Sequence, residues 1–439
     1  MRYDDLAGRT VAIWGAGREA RAALEELTRR GITARLAVTG DGGVPEDLLA
    51  VTETGAAAQA LLESADAVVK SPGVPHTSPE FLRLRALGVP VGNLTDLWLH
   101  EHHERVLAVT GTKGKSTTSS LAHHLLGAVG VRSALVGNGG TPVTTGDQSG
   151  LGALVAEVSS YQAADLTVSP RVAVVTSLYP EHLPWHGGYE QYVHDKLTLV
   201  AHGPESVVMP DHDGEVARLV RERAAGARLV TPADLGLAAT ADAVSWEGIG
   251  EVPAGAVALR GRHNLVNLTL ALAAVDALLG PAADRPALLA GVTSYAPLAH
   301  RLETVPSGDG RTWIDDSLAT APEAVVAALE TCTGPVTALV GGADRGLAMT
   351  PLTDYLAARD PDSPVHVLAV GPAGRRLVDE APDGVAHLRV APDFATALTW
   401  AAEGEPRTVL LSPGAPSFDE FRSYEERSAA FRAAALAAR

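Results

Sequence analysis

Residues 108–120, AVTGTKGKSTTSS, decide the fold of the middle of this 439-residue chain. An apolar strand runs into a loop with two glycines and two lysines, and a helix-forming segment follows. The glycines let successive backbone amides turn toward an anion, and Lys115 can reach terminal phosphates. We therefore predict a loop that binds a nucleoside triphosphate. Its residues are Gly111, Thr112, Lys113, Gly114, Lys115, Ser116 and Thr117.

The match to the phosphate-loop pattern is incomplete, because Val109 stands where that pattern has its first glycine. A solvated turn before a helix is the alternative interpretation. Strand, loop and helix nevertheless follow one another in the order that a phosphate cradle requires. In such a cradle the hydroxyl group of Ser116 or Thr117 offers a ligand to magnesium.

Strands alternate with helices on both sides of this stretch, which predicts an α/β fold with parallel sheets. The first block contains a strand, an amphipathic helix closed by glycine and a second strand, in TVAIWGAG, REARAALEELTRRG and ITARLAVTG. The second block continues with the strands GALVAEVSS and RVAVVTSL. The third block has strands in RTWIDDS, VTALVGG, VHVLAVG and TVLLSPG. We place three domains at residues 1–100, 101–294 and 295–439.

Composition and charge narrow the class of partner. The chain has 35 Lys and Arg against 52 Asp and Glu, a formal net charge of −17, which argues against nucleic acid and anionic membranes as partners. No uninterrupted apolar run approaches the ~20 residues of a membrane span, and the N-terminus lacks a secretory signal pattern. The single cysteine, Cys332, excludes an intrachain disulfide. We expect a cytoplasmic protein.

The stretch GAGREA at residues 15–20 fits the pattern G-x-G-x-x-A directly after a predicted strand. Such a turn lets a pyrophosphate group rest at the start of the following helix. A nicotinamide cofactor, another nucleotide such as a UDP-sugar, and a merely tight turn are three interpretations that this pattern leaves open.

Two residues of the second block are candidate magnesium ligands. Glu157 ends a predicted strand, and strand ends are where open α/β sheets bind ligands. His182 follows in PEHLPWHG, but magnesium prefers oxygen ligands, so an ordinary loop residue is the alternative there.

Two further pairs have open interpretations. Asn264 and Asn267 lie three apart on one helical face, where they can present two amides to a purine base or simply cap a helix. Arg301 and Asp316 stand at the entrance of the third block. The arginine can stabilise a transferring phosphoryl group and the aspartate can position a ribose or a metal-bound water, and a surface ion pair is the alternative.

The order and spacing of these motifs resemble the Mur ligase family over nearly the whole chain. The resemblance is closest to members that add glutamate to UDP-N-acetylmuramoyl-L-alanine. The motifs are TGTKGKST, GNGGTP, EVSSYQ, EHLPWHG, YVHDKL, GRHNLVN, AHRLE, DDSLAT and LSPGAPSFDEF. The resemblance implies an N-terminal Rossmann-like domain for the UDP-sugar, a central P-loop ATPase-type domain with a parallel sheet, and a C-terminal Rossmann-like domain for the amino acid. It also implies a monomer.

The same resemblance implies roles for individual residues. Lys115, Glu157, His182 and Lys196 fall at catalytic positions. The implied metal ligands are Ser116, Glu157, His182 and, if it is carbamylated, Lys196. Beyond the loop, Asn264, Asn267, Arg301 and Asp316 are the implied ATP contacts. The implied UDP-sugar contacts are Gly15, Ala16, Gly17, Arg18, Thr39, Ser71, Pro72, Gly73, Asn93, Asn138, Ser159, Ser160 and Gln162. The implied amino-acid contacts are Thr320, Arg345, Ser417 and Tyr424.

The implied reaction consumes ATP with Mg²⁺ and belongs to peptidoglycan precursor synthesis. ATP phosphorylates the alanine carboxylate, and the glutamate amine then attacks the acyl phosphate to form an amide. Carbamylation of Lys196 requires a neutral amine that reacts with carbon dioxide, and an ion-paired structural lysine is the alternative.

This chain departs from the D-glutamate-adding pattern at several positions around the amino acid. Leu318 replaces a lysine, Arg345 replaces another, and Tyr424 stands where phenylalanine is common. An arginine fork binds a carboxylate with different geometry, so we favour L-glutamate and keep D-glutamate as the alternative. A non-catalytic regulator that binds nucleotide and UDP-sugar is a more distant alternative. Residues 1–100 argue against folylpolyglutamate synthase, which lacks a UDP-sugar domain.

Overall fold

The computed structural model describes residues 1–439 except 41–42, 139–140, 225, 260, 383–384, 386 and 439. The chain divides into two compact units. The first contains residues 1–258 and 263–295, and the second contains residues 259–262 and 296–439.

The N-terminal part of the first unit is a parallel sheet with helices. The sheet has the order β3-β2-β1-β4-β5, so the first strand lies in its middle. Its strands are β1 (Val11–Trp14), β2 (Ala34–Val38), β3 (Thr52–Thr54), β4 (Ala67–Lys70) and β5 (Val91–Gly92). Its helices are α1 (Arg18–Arg29), α2 (Gly55–Ser64), α3 (Pro79–Ala86) and α4 (Leu94–His102). All residues of β1 and β4 are buried, as a strand covered on both faces requires.

The second sheet of this unit is also parallel, with the order β11-β10-β9-β6-β8-β7. Its strands are β6 (Val106–Thr110), β7 (Ser133–Gly137), β8 (Ala153–Glu157), β9 (Val172–Val175), β10 (Ser206–Val208) and β11 (Arg228–Val230). The helices of this region are α5 (Lys115–Ala128), α6 (Ser160–Ala163), α7 (Leu183–His186), α8 (Tyr189–Leu197), α9 (Glu215–Arg223), α10 (Arg262–Leu279) and α11 (Arg285–Gly291).

A small antiparallel sheet and a long apolar helix complete the first unit. The sheet consists of β12 (Leu237–Ala239), β13 (Ala243–Trp246) and β14 (Gly250–Pro253). Helix α10 is the one helix of the described residues that is long and apolar enough to cross a membrane. Two thirds of its most apolar window (67%) is buried within the protein, as expected for a core helix.

The second unit has one mixed sheet with the order β15-β16-β20-β17-β18-β19. Only the β15–β16 pair of this sheet is antiparallel among the pairs described. Its strands are β15 (Glu303–Val305), β16 (Thr312–Asp315), β17 (Val336–Gly341), β18 (Val365–Val370), β19 (Leu388–Val390) and β20 (Thr408–Leu411). Its helices are α12 (Pro322–Glu330), α13 (Thr350–Ala357), α14 (Gly371–Glu380), α15 (Phe394–Glu403) and α16 (Tyr424–Ala437).

The predicted α/β architecture with parallel sheets is confirmed. Each strand named from the sequence is present, while the short strands β3, β10, β11 and β12–β14 have no comparable apolar signal. Residue 100, the predicted end of the first domain, lies within α4, and the first strand of the second sheet begins at Val106.

Candidate functional site

The loop after β6 has two glycines that no other residue type can replace without strain. Gly111 has φ +144°, and a Cβ atom there would lie 1.9 Å from Oγ1 of Thr176. Gly114 has φ +86°, and its Cβ atom would lie 2.4 Å from Oδ1 of Asn267. Both the left-handed backbone and the close neighbours therefore select glycine. The loop ends at helix α5, whose first turn presents backbone amides for an anion.

The lysines of this loop have different partners. Nζ of Lys115 donates to the carbonyl oxygens of Gly111 (2.9 Å) and Thr112 (3.1 Å). Nζ of Lys113 instead forms an ion pair with Glu181, at 2.8 Å from Oε1. Lys115 is therefore folded over the loop that would hold phosphates.

Two side chains of helix α8 form hydrogen bonds with the loop after β6. The hydroxyl groups of Tyr192 and Thr112 lie 2.6 Å apart, and Nζ of Lys196 donates to the carbonyl oxygen of Gly111 at 2.9 Å. Lys196 is only 2% exposed. Burial lowers its pKa well below the usual value, and the nearby Lys115 lowers it further against the opposing effect of Glu181. No ion pair of Lys196 occurs within the described part of the chain, and the charges of Glu181 and Glu157 act on it from nearby.

Glu157 ends β8 beside the loop, as predicted. Its register partner on β6 is Val109, so the carboxyl ends of the two strands meet there. The side chain is buried, and Oε1 accepts a 2.9 Å hydrogen bond from Nδ2 of Asn138. This hydrogen bond joins Glu157, the last residue of β8, to Asn138, the residue that follows β7. The GNGGTP motif that contains Asn138 also includes residues 139–140, which lie outside the described residues.

His182 is half-exposed and has a left-handed backbone at φ +56°. Its ring packs on that of Tyr161, with centroids 5.1 Å apart. Burial lowers the pKa of His182, while Glu181 opposes this effect and Lys196 and Lys115 add to it. A neutral imidazole is the form that can bind a metal.

The donor set around the loop fits magnesium in part. The carboxylate of Glu157 and the hydroxyl of Ser116 are the hard oxygen ligands that magnesium prefers. An unmodified Lys196 offers only an amine and does not fit, whereas a carbamate would add oxygen ligands. His182 is a softer ligand, so its assignment rests more on the resemblance than on its chemistry.

A second group of possible metal ligands lies in the second unit, at His300, Glu303 and Asp315. Its carboxylates already have other partners. Oδ2 of Asp315 is 2.9 Å from Nδ1 of His300 and 3.0 Å from the guanidinium of Arg432, which also pairs with Glu303. An arginine between two carboxylates excludes a cation by charge, so we regard this group as an ion-pair network.

A cavity of about 250 Å³ lies at the turn between β1 and α1. Its lining residues come from the turn after β1 and the start of α1, from the segment after β4, and from the segments that follow β7 and β8. Seven of the predicted UDP-sugar contacts line it, namely Gly17, Arg18, Ser71, Pro72, Asn138, Ser159 and Gln162. Four lining residues were not predicted, namely Glu19, Gly137, Pro142 and Tyr161. All four lie within or beside motifs quoted from the sequence: Glu19 in GAGREA, Gly137 and Pro142 in GNGGTP, and Tyr161 in EVSSYQ.

The other predicted UDP-sugar contacts support the cavity or lie beside it. Gly15 (φ +124°) has no room for a Cβ atom, which would lie 2.3 Å from Oγ of Ser71. Thr39 accepts a hydrogen bond from the indole of Trp14, at 3.1 Å. Ala16 lies between the two turn glycines. The carbonyl oxygen of Gly73 accepts a hydrogen bond from the indole of Trp185, at 3.1 Å.

Asn93 and Ser160 have structural partners. Asn93 caps α4, and its Nδ2 donates to the carbonyl oxygen of Gln162 at 2.8 Å. Oγ of Ser160 lies 3.0 Å from Nε2 of the buried His186. His186 was not assigned a role from the sequence.

Asn264 and Asn267 are brought together within α10. Nδ2 of Asn267 donates to Oδ1 of Asn264 at 3.1 Å, and both side chains are buried. Neither residue is the N-terminal cap of a helix, so the capping interpretation is wrong. Asn267 instead lies against Gly114 of the phosphate loop.

In the second unit, Asp316 follows β16 and is buried. Oδ2 of Asp316 accepts a 2.8 Å hydrogen bond from the hydroxyl of Ser412. Burial raises the pKa of Asp316 to about 7, and the hydrogen bond from Ser412 and the charge of Arg301 oppose this shift. Asp316 is buried, whereas Arg301 is exposed, and the charge of Arg301 acts on the Asp316 carboxyl group.

The predicted amino-acid contacts lie at loop and helix starts of the second unit. Thr320 and Arg345 are exposed, and Ser417 is buried. Tyr424 begins α16 and contacts the ring of His300 edge-on, with centroids 5.6 Å apart.

Sequence reasoning missed Arg427, a buried arginine of α16 that joins two of the family-like segments. Its guanidinium donates to the carbonyl oxygens of Ser317 (2.9 Å) and Ala415 (3.2 Å). Burial lowers the pKa of Arg427 to about 10. Arg427 thereby holds DDSLAT beside LSPGAPSFDEF.

Comparison with known proteins identifies the family and the fold of this chain. A family model described as the Mur ligase middle domain matches residues 109–275. UDP-N-acetylmuramoyl-L-alanine--L-glutamate ligases from Salinispora tropica and a Micromonospora species are 44% and 42% identical to this chain. The alignments cover 98% of this chain and 98% and 97% of the relatives. The structure of MurF ligase from Thermotoga maritima in complex with ADP has the same fold, with a TM-score of 0.58 at 16% identity over 99% of this chain and 96% of that chain.

Proposed function

Because the chain belongs to the Mur ligase family of ATP-dependent, amide-forming ligases, we propose that it joins L-glutamate to UDP-N-acetylmuramoyl-L-alanine. Relatives with that activity in their names, aligned over nearly the full chain, support the choice of substrates. The product is a peptidoglycan precursor, and we assign the reaction to a monomer in the cytoplasm.

We assign the three steps of substrate recognition to three regions. Residues 1–100 bind the UDP-sugar, residues 101–294 bind ATP, and residues 295–439 bind the amino acid. The cavity at the β1–α1 turn supports the first assignment, and the glycine-dependent loop before α5 supports the second. The third rests on the segments that Arg427 holds together.

One observation supports the proposal most directly. The amines of Lys115 and Lys196 both donate a hydrogen bond to the carbonyl oxygen of Gly111 in the phosphate loop. Two lysines at a phosphate loop suit a reaction in which a phosphoryl group is transferred. A loop that only held a nucleotide would not need the second, fully buried amine.

In the first step, an oxygen of the alanine carboxylate attacks the γ-phosphorus of ATP. The bond from that phosphorus to the bridging oxygen breaks, ADP leaves, and an acyl phosphate forms. Lys115 and the amides of the loop neutralise charge on the transferred group. In the second step, the glutamate amine attacks the acyl carbon, loses a proton, and phosphate leaves with the carbon–oxygen electron pair.

Magnesium fits this site if Lys196 is carbamylated. Ser116, Glu157, His182 and the carbamate of Lys196 would hold it, and the ion would neutralise phosphate charge. Burial lowers the pKa of Lys196, which favours the neutral amine that reacts with carbon dioxide. Loss of a proton from nitrogen then turns the adduct into an anion that suits a cation site.

The preference for L-glutamate rests on residues of the second unit. Leu318 removes a cation that the D-glutamate pattern supplies, and Arg345 replaces a lysine with a planar, two-pronged donor. The two enantiomers differ only in handedness at Cα, so a pocket that holds a carboxylate in a different place while the amine stays aimed at the acyl carbon can favour one of them.

The test is an assay of the purified full chain with ATP, magnesium, UDP-N-acetylmuramoyl-L-alanine and each glutamate enantiomer. Phosphate release and the new amide are measured together. We expect both products with L-glutamate. Turnover with D-glutamate alone would reject the stereochemical assignment, and ATP binding without turnover with either enantiomer would favour a regulator.

A further inference from the structure

Glu19 places an acidic side chain in the cavity at the β1–α1 turn, where the pyrophosphate of a UDP-sugar is expected to bind. It is the second residue of α1 and lines the same cavity as Gly17 and Ser71. Oε1 of Glu19 accepts a 3.1 Å hydrogen bond from Nε2 of Gln162, which belongs to α6 beside the second sheet. This hydrogen bond therefore joins α1 to α6 at the cavity and fixes the position of the carboxyl group.

The surroundings of Glu19 change the pKa of its carboxyl group. Burial raises the pKa of its carboxyl group, while the hydrogen bond from Gln162 and the charge of Arg18 oppose this effect. Among the residues described as lining the cavity, the titratable ones are Arg18, Glu19 and Tyr161. Arginine and tyrosine ordinarily keep one protonation state near neutral pH, so Glu19 is the group that can respond to a ligand.

A pyrophosphate group at the start of α1 brings two negative charges to this cavity. Like charges in a partly buried site disfavour an ionised carboxyl group and raise its pKa further. A protonated carboxyl group removes the repulsion and also supplies a hydrogen-bond donor, which an ionised carboxylate cannot be. The backbone amides of the α1 start and the Glu19 hydroxyl then act on the same anion.

We propose that Glu19 takes up one proton from solvent when a UDP-sugar binds, and that the resulting carboxylic acid donates a hydrogen bond to the pyrophosphate. The inference rests on the proposed UDP-sugar site. The proton is bound to a carboxylate oxygen of Glu19 and is returned to solvent when the nucleotide leaves. Glu19 is thus a binding residue whose protonation makes substrate affinity dependent on pH.

The experiment is calorimetric titration of the full chain with UDP-N-acetylmuramoyl-L-alanine at pH 6.5, in buffers of different ionisation enthalpy and without ATP. The slope of binding enthalpy against buffer enthalpy gives the number of protons taken up. The alanine carboxyl group, with a pKa of about 3.5, stays ionised and contributes none. We expect uptake of roughly 0.5–1 proton by the unmodified chain.

Two variants isolate Glu19. Glu19→Gln keeps the shape and a donor but cannot titrate, so we expect binding with no proton uptake. Glu80→Gln is the matched control, because Glu80 is also the second residue of a helix, α3, and does not line the cavity. It should take up as many protons as the unmodified chain. Equal uptake by the Glu19→Gln variant and the unmodified chain would overturn the inference.

A second measurement needs no variant. If protonated Glu19 is the binding form, the Kd of the unmodified chain rises with pH, by up to about tenfold per unit between the pKa of the free and bound states. A Kd that is constant from pH 5.5 to 8 would overturn the inference and leave the proposed function intact. Absence of any binding would overturn the UDP-sugar site itself and the inference with it.

Discussion

Lys115 and Lys196 donate hydrogen bonds to the same acceptor, the carbonyl oxygen of Gly111, each at 2.9 Å. Lys115 begins α5 and Lys196 lies near the end of α8, so two helices direct their amines at the first residue of the phosphate loop. Two ammonium groups on one oxygen repel each other, and Lys196 is the buried one. Burial and the charge of Lys115 both lower the pKa of Lys196, which favours the neutral amine that carbamylation requires.

Replacement of Lys196 by arginine tests the role of the neutral amine. Arginine retains length and hydrogen-bond donors, but it stays charged and forms no carbamate. We expect kcat to fall by about 100-fold or more, equivalent to roughly 3 kcal/mol of barrier, while the Kd for ADP changes by less than about fivefold. Phosphate-release kinetics and nucleotide titration give the two values. A variant with near-normal kcat would contradict the assignment.

Dependence on carbon dioxide provides a second readout for Lys196. Enzyme prepared and assayed in degassed buffer is expected to lose activity and regain it when bicarbonate is added. Bicarbonate should have no effect on the arginine variant. Full activity in degassed buffer with no carbamate detected by mass measurement or by ¹³C NMR would remove the carbamate from the account.

Gly114→Ala is expected to disrupt the phosphate loop. The new Cβ atom would occupy a left-handed position 2.4 Å from Oδ1 of Asn267, and the strain costs about 1–3 kcal/mol. Gly127→Ala is the control, because Gly127 lies within the same helix, α5, with nothing within 4 Å of its Cβ position. The control should be neutral or more stable by up to about 1 kcal/mol. Thermal unfolding and ADP affinity distinguish the two, and equal effects would contradict the prediction.

The strand, loop and helix around residue 110 were predictable from sequence because the relevant signals are local. Apolar runs, glycine spacing and a lysine after the turn all fall within 13 residues. The contact between Glu19 and Gln162 joins residues 143 apart, and no spacing rule connects them. The burial of Lys196 depends on the packing of α8 against the loop. From the sequence, a special role for this lysine is indicated only by the family resemblance.

Removing one partner of the buried ion pair between Lys70 and Asp165 should strongly destabilise the first unit. Their charged atoms are 2.7 Å apart, and His76 also contacts Asp165. The positive charge of Lys70 lowers the pKa of Asp165 against the effect of burial. Asp165→Asn leaves the buried Lys70 without a countercharge, and we expect a loss of about 3–5 kcal/mol at pH 7.

Asp47→Asn is the matched control, because Asp47 pairs with Arg21 at an exposed site. No measurable loss is expected there. Urea unfolding gives both values. Because the pKa of Asp165 is lowered on folding, its stabilisation is present above the unfolded pKa of about 3.9 and disappears as pH falls through the folded value. Similar losses for the two variants would contradict the prediction.

Asp316 should affect the pH dependence of the unfolding free energy in the direction opposite to Asp165. Its pKa rises to about 7 on folding, so the folded state binds more protons than the unfolded state between about pH 4 and 7. This group therefore lowers stability as pH rises across that window, and its effect is constant above it. Asp316→Asn should lose this slope, a change on the order of 4 kcal/mol between pH 4 and 8. Identical pH slopes of unfolding free energy would contradict the prediction.

Arg345→Lys tests the basis of enantiomer preference. A lysine lacks the fork of arginine, so we expect the KM for L-glutamate to rise by roughly 10-fold or more while the KM for ATP is unchanged. Adding Leu318→Lys to this variant should raise the ratio of D-glutamate to L-glutamate turnover. An unchanged KM for L-glutamate would show that the recognising residue lies elsewhere.

The most direct test of acyl-phosphate ligation uses UDP-N-acetylmuramoyl-L-alanine labelled with ¹⁸O in the alanine carboxylate, together with ATP and L-glutamate. Attack of that carboxylate on ATP, followed by loss of phosphate, transfers one labelled oxygen to inorganic phosphate for each amide formed. The account predicts this transfer in mass spectra of the released phosphate. Amide formation with unlabelled phosphate would contradict it.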